Sequence, residues 1–198
     1  MARQNRRGEL LSAAIDAVRA KGYATMRVDD LAAAAGVTKG SFFHHFPNKE
    51  ACAREAVGYW SAQAEAVFGA CGYRLAGSPA ARVLAYVDFR IALLDGPVAS
   101  YTCYAGTLLQ EVHKTHPDLA SACAASILDH AKTLESDLAQ ALGTASGEAP
   151  DLAVHIQAAI QGALIIAKAE GGSHGARASL GHLRRYLELR MENQSHDQ

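Results

Sequence analysis

The chain has 198 residues, of which 49% are hydrophobic, 7% aromatic and 20% charged, and its net charge is −1. That length allows one large domain or two small ones, and the net charge alone gives no support to nucleic-acid binding. No run of about 18 uncharged apolar residues occurs and the basic start lacks an apolar segment behind it, so neither a transmembrane helix nor a secretory signal is predicted. Four widely spaced cysteines without a CxxC pair favour reduced thiols and a cytoplasmic protein.

An Ala- and Leu-rich helical periodicity runs through most of the sequence and predicts an all-α fold of about nine helices. The first three helices are predicted at about residues 6–21, 28–35 and 38–46. The others are predicted at about 49–71, 79–94, 97–115, 117–142, 151–169 and 176–193. Gly-Pro, His-Pro and Gly-rich segments mark the breaks between them.

Charge is unevenly distributed along the chain. Residues 1–50 hold eight Lys/Arg against five Asp/Glu, a balance of +3, and the other residues hold eleven against fifteen, a balance of −4. A basic segment on an acidic remainder is typical of a chain that contacts a polyanion at one end.

The stretch around residues 36–50 reads as a helix-turn-helix, because a short helix ends at the Gly36 turn and a second begins with Thr38 as its N-cap. Phe42 and Phe46 of the second helix are predicted to pack in the core of the N-terminal helices. In the second helix Gly40 allows close approach to a groove, and Ser41 and Lys39 can bond a base edge or a phosphate. Lys49 and the free N–H groups of the next helix form a predicted phosphate clamp. The bare pattern equally fits a helical hairpin that binds nothing, with two adjacent histidines on a solvated face.

Longer strings resolve these alternatives. The motifs Leu10-Leu11-x-Ala13-Ala14, Lys21-Gly22-Tyr23, Leu31-Ala32-x-x-Ala35-Gly36-Val37-Thr38-Lys39-Gly40-Ser41 and His44-His45-Phe46-x-Asn48-Lys49-Glu50 resemble those of the tetracycline-repressor (TetR) family. The resemblance implies a DNA-binding domain at residues 1–48 and a ligand-binding and dimerisation domain at 49–198. It also implies a helix-turn-helix repressor that leaves a palindromic double-stranded operator when a small molecule binds. The DNA contacts that it implies, with their neighbours, are Thr38, Lys39, Gly40, Ser41, Phe43, His44, His45 and Lys49.

The DNA-binding domain at residues 1–48, called the head below, departs from the family pattern at three places. Phe43 stands where a phosphate-binding Tyr is usual, which removes one hydroxyl and about 1 kcal/mol per half-site. Arg27 stands where a Thr often caps the second helix, and it is predicted to reach a phosphate instead. Asp29 replaces a residue that is frequently basic or neutral and is expected to repel the DNA backbone.

Two segments near the C-terminus fit the homodimer that the resemblance implies. Residues 153–167 are rich in small side chains, and the last helix combines leucines with a tyrosine: Leu180, Leu183, Leu187 and Tyr186. Two such helices from each chain can form a four-helix bundle. The alternative is that they form a core within one chain.

Three polar residues share one face of the helix predicted at 97–115, at spacings of four and three: Cys103, Thr107 and Gln110. The spacing of Cys103 to Leu108 and Glu111 is similar to that of the electrophile-sensing, NemR-like branch of the family, which implies that Cys103 is a reactive thiol. Such a thiol needs a nearby cation or a helix N-terminus. Lys168 is a candidate cation, since no Lys or Arg lies near Cys103 in sequence; otherwise Cys103 is a small buried hydrophobe.

The remaining candidates for a small-molecule pocket are weaker. Gln161 and Lys168 belong to a polar stripe that lines either a pocket or a dimer seam, and Trp60 and Phe89 are wall candidates that also fit a core. His113-x-x-His116 has metal-like spacing but lacks a third ligand, so no metal is predicted.

Catalysis finds no support, because the sequence offers no Ser/His/Asp order, paired carboxylates or phosphate loop. No enzyme activity and no cofactor are therefore predicted. A third possibility is a ligand-binding or thiol-redox protein whose head no longer binds specific DNA.

Overall fold

The computed structural model describes residues 2–143 and 147–192, with side chains from residue 6 onward. These residues form eleven α-helices, one 3-10 helix and no strand, which confirms the all-α prediction. The helices are α1 (Ala2–Lys21), α2 (Val28–Ala34), α3 (Lys39–His45), α4 (Lys49–Ala70), a 3-10 helix (Tyr73–Leu75), α5 (Pro79–Ala92), α6 (Val98–Tyr101), α7 (Tyr104–Val112), α8 (Pro117–Lys132), α9 (Glu135–Leu142), α10 (Ala149–Glu170) and α11 (His174–Glu192).

Two predicted helices are each divided in the structure, which is why the described chain has more helices than expected. The helix predicted at 97–115 breaks between Tyr101 and Tyr104, where extended backbone at Cys103 restarts the chain as α7. The helix predicted at 117–142 breaks after Lys132. There the N–H groups of Thr133 and Leu134 bond carbonyls three residues back, at 3.2 and 3.0 Å. Such i→i+3 bonds tighten a helix end and change the chain direction.

The helices form two compact units. The first runs to Glu65 and includes Thr102–Ser126, and the second consists of Ala66–Tyr101 and the chain from Ile127 onward. This division groups α1–α3 with the start of α4 and with α7. The DNA-binding domain predicted to end at residue 48 remains a prediction.

The core of the first unit combines aliphatic residues of α1 with aromatic residues of α3. Leu10, Ala14 and Val18 are fully buried along one face of α1, as the periodicity predicts. Phe42 and Phe46 are also fully buried, with ring centroids 5.6 Å apart. Their burial fixes which face of α3 points outward.

The second unit has an aromatic core with polar groups inside it. Tyr86 is fully buried and its hydroxyl lies 3.0 Å from Nε2 of His130. Phe68 packs on both rings, and the guanidinium of Arg90 lies 5.1 Å from the centroid of the Phe68 ring. Burial lowers the pKa of His130 to about 4, helped by the positive charges of Arg90 and Arg74. This imidazole is therefore neutral in the folded protein at neutral pH.

Helices α10 and α11 each turn one apolar face inward. Three leucines of α11 are buried within the single chain: Leu180, Leu183 and Leu187. They therefore belong to a core within one chain, which was the alternative to a dimer interface. By length and composition alone α10 could cross a membrane, with 22 residues and a mean hydropathy of 1.5. That is weak evidence, because a core helix passes the same test.

Candidate nucleic-acid interface

Helix α3 is the element that presents the predicted DNA contacts. Thr38 lies in extended backbone before it, and the Thr38 hydroxyl accepts a hydrogen bond from the N–H of Ser41 at 3.2 Å. The predicted N-cap is thereby confirmed. Because Phe42 and Phe46 anchor one face of this short helix in the core, the opposite face is open to solvent.

The turn before α3 depends on a glycine. Gly36 adopts φ +64°, a left-handed conformation that residues with a Cβ rarely take. The N–H of Val37 bonds the carbonyl of Ala32 at 2.9 Å, which closes the end of α2. This turn sets the direction in which α3 leaves α2.

Most of the predicted contacts lie on the open face of the head. Ser41, His45 and Lys49 are half-buried, and the other six predicted contacts are exposed, namely Arg27, Thr38, Lys39, Gly40, Phe43 and His44. Phe43 leaves 48% of its surface exposed, so its ring is available for contact on this face. The N-cap position of α2 is held by Arg27 without a side-chain hydrogen bond, so the expected cap is indeed missing there.

Asp29 lies in the first turn of α2 and forms an ion pair with Lys39. Its two carboxylate oxygens lie 3.0 and 3.1 Å from the ammonium of Lys39. Both side chains are more than half exposed. The acidic departure from the family pattern therefore has a local partner on the face that is predicted to meet DNA.

Lys49 is the first residue of α4, and its ammonium is bound inside the head. It donates to the carbonyl oxygens of Tyr23 and Met26 at 3.2 and 3.3 Å and lies 4.4 Å from the centroid of the Tyr23 ring. These bonds hold the loop between α1 and α2. The phosphate contact predicted for Lys49 remains a prediction.

Glu111 of α7 binds the same loop through the backbone N–H groups, whereas Lys49 binds its carbonyls. Its carboxylate oxygens accept hydrogen bonds from the backbone N–H groups of Tyr23 and Ala24 at 2.8 and 2.9 Å. A Cβ at Gly22, where φ is +85°, would meet a Glu111 oxygen at 2.6 Å. The sequence did not predict this role, because nothing local signals a bond between residues 88 positions apart.

The sequence predicted that Cys103 lies within a helix at 97–115. In the structure it lies at the start of α7 instead. It is the N-cap, and its sulfur accepts a hydrogen bond from the N–H of Gly106 at 3.3 Å. The cation beside it is Arg19 of α1, whose Nε donates to the carbonyl of Thr102 at 2.8 Å. The Arg19 side chain is 10% exposed, and its guanidinium lies 5.0 Å from the centroid of the Trp60 ring.

The electrostatics of Arg19 connect it to the thiol. Burial lowers the pKa of Arg19, and the negative charge of Asp16 opposes that shift, with a smaller contribution in the same direction from Cys103. The hydroxyl of Thr102 is fully buried and lacks a hydrogen-bond partner among the described residues. A thiol, a guanidinium, a helix N-terminus and an unpaired hydroxyl therefore meet at one place in the first unit.

The other predicted pocket residues are divided between the two units. In the first unit Trp60 packs on Tyr104, and the side-chain amide of Gln110 donates back to the carbonyl of Gly106 at 3.0 Å. Thr107 lies on the same helix as Gln110. In the second unit Phe89 packs edge-on against Phe68 at 5.2 Å, and Gln161 and Lys168 lie on α10. The pocket that these residues were expected to form remains a prediction.

The remaining cysteines and the His pair have other surroundings. Burial raises the pKa of both Cys52 and Cys123 to about 12, so these thiols stay protonated at neutral pH. His116 packs edge-on against the Tyr23 ring at 5.4 Å. This ring contact gives His116 a packing role in the first unit.

Comparison with known proteins identifies the family. The model described as "Bacterial regulatory proteins, tetR family" matches residues 10–56, and the model described as "Transcriptional regulator LmrA/YxaF-like, C-terminal domain" matches residues 79–174. The chain belongs to the TetR family. It is a transcriptional regulator of that family, with the helix-turn-helix head that the sequence motifs indicate.

Individual relatives support the TetR head and the TetR fold. The HTH-type transcriptional regulator CymR of Pseudomonas putida is 50% identical over 42 residues, which is 21% of this chain and 21% of the CymR chain. A TetR-family regulator from Cytophaga hutchinsonii superposes with a TM-score of 0.81 at 21% identity, over 95% of this chain and 96% of its own. The reduced form of E. coli NemR superposes with a TM-score of 0.72 at 24% identity, over 91% and 95% of the two chains. At these identities the two superpositions show a shared fold.

We expect Glu111→Gln to lower the free energy of unfolding by about 1–2 kcal/mol, because the amide replaces one of the two charged acceptors with a donor. Urea unfolding measures the loss, and amide hydrogen exchange locates it at Tyr23 and Ala24. Glu65→Gln, at an exposed position of α4, is the matched control and should change neither quantity. Unaltered exchange at Tyr23 and Ala24 in Glu111→Gln would contradict this assignment.

Proposed function

We propose that this TetR-family regulator is a homodimeric repressor that binds a palindromic operator through α3 and leaves it when a small molecule reaches the helical body. The observation that supports this most directly is the open face of α3, where Lys39, Gly40 and Phe43 are exposed above a fully buried Phe42. A short helix with small and cationic residues at its N-terminal end fits a major groove. Because such a regulator acts on the chromosome, we place it in the cytoplasm, and we assign it no enzymatic activity.

The specific contacts follow from the exposed face. Lys39 and Ser41 are proposed to reach base edges. An ammonium donates to guanine O6 or N7, and a hydroxyl can bond either a donor or an acceptor of a base. The phosphate contacts are proposed for the residues around them, Arg27, Thr38, His44, His45 and Lys49. For Lys49 the contact is proposed through its backbone N–H at the start of α4, because its ammonium is bound to the loop between α1 and α2. Phe43 contacts the sugar-phosphate backbone through its ring alone.

We expect Lys39→Ala to weaken operator binding about tenfold or more, because one base-edge contact is worth about 1–3 kcal/mol. Fluorescence anisotropy with the palindromic DNA beside the protein's own gene measures this at several salt concentrations. Lys132→Ala is the matched control, since Lys132 is also exposed and also paired with an aspartate, on α8. Wild-type protein that binds this DNA no better than a scrambled duplex at low salt would refute the proposed function.

The dimer proposal rests on an exposed apolar face of α10 and α11. Five of the large apolar residues that remain exposed lie on these two helices, at 44–49% exposure: Val154, Ile165, Ile166, Tyr186 and Leu189. Tyr186 contacts His155 with ring centroids 5.8 Å apart, so the exposed faces of the two helices adjoin. Such a continuous apolar face fits a four-helix bundle with a second copy. Of the four α11 residues that the sequence suggested for the dimer interface, Tyr186 is the one that lies on this face.

We expect Ile165→Glu to convert the protein into a monomer, because the substitution would place an unpaired charge inside the interface. Light scattering coupled to size-exclusion chromatography distinguishes one chain of 20.9 kDa from two. Leu75→Glu is the control, since Leu75 is apolar and 88% exposed but lies in the 3-10 helix. Wild-type protein that stays a monomer at micromolar concentration would contradict the proposal.

A second candidate function, a thiol-based electrophile sensor, is favoured by the surroundings of Cys103. Its sulfur accepts a hydrogen bond from the N–H of Gly106 at the N-terminus of α7, and Arg19 binds the carbonyl of the preceding residue, Thr102. In the reaction the Cys103 thiol gives its proton to water, the sulfur bonds to the β-carbon of an unsaturated aldehyde, and the C=C π pair moves to the carbonyl side. The α-carbon then takes back one proton from water, so the addition is balanced. The product has a bulkier thioether in place of the thiol, so the sulfur that caps α7 beside Arg19 is changed.

The change at Cys103 has a direct route to the head. Helix α7 has nine residues, or about 13 Å at the usual rise, between Cys103 and the loop that Glu111 holds. A shift of α7 would therefore alter the bonds from Glu111 to the loop after α1. DNA release would follow from that change in the head.

We expect an unsaturated aldehyde to release wild-type protein from its operator but to leave Cys103→Ser bound. The anisotropy assay above measures release, and intact-protein mass spectrometry measures the adduct. Cys71→Ser is the control, because Cys71 is also partly exposed but lies in the second unit. Equal release of wild type and Cys103→Ser would remove Cys103 from the mechanism.

A further inference from the structure

The Asp29 carboxylate and the Lys39 ammonium form an ion pair on the face that is proposed to contact DNA. The ammonium of Lys39, at the first position of α3, lies 3.0 and 3.1 Å from the carboxylate oxygens of Asp29 in the first turn of α2. The side chains are 58% and 65% exposed, respectively. An exposed ion pair contributes little to folding, so the pair is not needed to hold α2 and α3 together.

The pair limits what Lys39 can bind. A lysine ammonium has three N–H donors and no acceptor, and the Asp29 carboxylate accepts from part of that set. The remaining donor capacity is available to another acceptor only if that acceptor tolerates a carboxylate beside it. Asp29 thus selects among the partners of Lys39.

The two kinds of acceptor on DNA differ in charge. A phosphate oxygen is anionic and is repelled by a carboxylate a few ångströms away, and the repulsion is largest at low salt. Guanine O6 and N7 are neutral acceptors in the major groove, so the same carboxylate opposes them far less. Asp29 therefore disfavours the sequence-independent contact more than the sequence-dependent one.

We propose that Asp29 is a specificity-determining residue, which directs Lys39 to a guanine edge and suppresses binding to nonspecific DNA. This inference rests on the proposed DNA-binding function. Nonspecific affinity comes almost entirely from phosphate contacts, so a head that blocks one such contact loses more affinity for other sequences than for the operator. The acidic departure from the family pattern is then a gain in discrimination.

The test compares Asp29→Asn with Asp30→Asn. The two substitutions change the charge equally, on neighbouring exposed residues in the first turn of α2, but only the first removes the carboxylate that binds Lys39. Dissociation constants are measured by anisotropy for the operator and for a scrambled duplex of equal length, over a salt series. The operator is the palindrome beside the gene, or the duplex that wild-type protein selects from a random library.

For Asp29→Asn we expect affinity for the scrambled duplex to rise about tenfold, and the ratio of operator to scrambled affinity to fall at least fivefold. We also expect the slope of log K against log salt to steepen by about 0.9, the value for one added phosphate contact. Asp30→Asn should raise both affinities alike and leave the ratio unchanged. In a Lys39→Ala background the effect of Asp29→Asn on the ratio should vanish, because the two residues act as one unit.

The outcomes separate this inference from the proposed function. A wild-type ratio above ten that Asp29→Asn leaves unchanged, or changes no more than Asp30→Asn does, overturns the inference and leaves the repressor proposal standing. A wild-type ratio near one, with no sequence selected from the library, overturns both.

Discussion

The loop between α1 and α2 is held by two opposite charges, and the first unit depends on that arrangement. The carboxylate of Glu111 takes the N–H groups at Tyr23 and Ala24, and the ammonium of Lys49 takes the carbonyls of Tyr23 and Met26. A short loop that leaves a helix end has several unpaired backbone groups, and each would cost free energy if it were buried without a partner. Here the partners come from α7 and α4, so the start of α2 is fixed by helices outside the head.

This arrangement gives the sensor proposal a physical basis. Helix α7 has Cys103 at its N-cap and Glu111 near its end. Arg19 of α1 lies beside that cap, and Gly22, the residue directly after α1, lies beside that carboxylate. The two helices are therefore joined by charged or capping groups at both ends. In that proposal, a change at the first end would alter the bonds at the second, because both ends join the same pair of helices.

The sequence predicted what local rules control. The Thr38 cap, the left-handed Gly36 turn and the burial of Phe42 and Phe46 all follow from residue type and spacing. It did not predict the break at Cys103, because a cysteine at a cap is uncommon and its neighbours read as helix. Nor did it find the partners of Lys49, Glu111 and Cys103, which lie 23 to 88 positions away and come together only through tertiary packing. On α11 the periodicity identified the buried leucines but could not say whether they face the same chain or a second copy.

The buried guanidinium of Arg19 has a consequence for how signals are read. Unlike a histidine or a lysine, a guanidinium stays protonated at every physiological pH, even where burial lowers its pKa. The first unit therefore contains a permanent positive charge that acidity cannot switch off. In the sensor that we propose, this charge is the constant element at the junction of α1 and α7, so a signal has to come from a change in the groups that surround it.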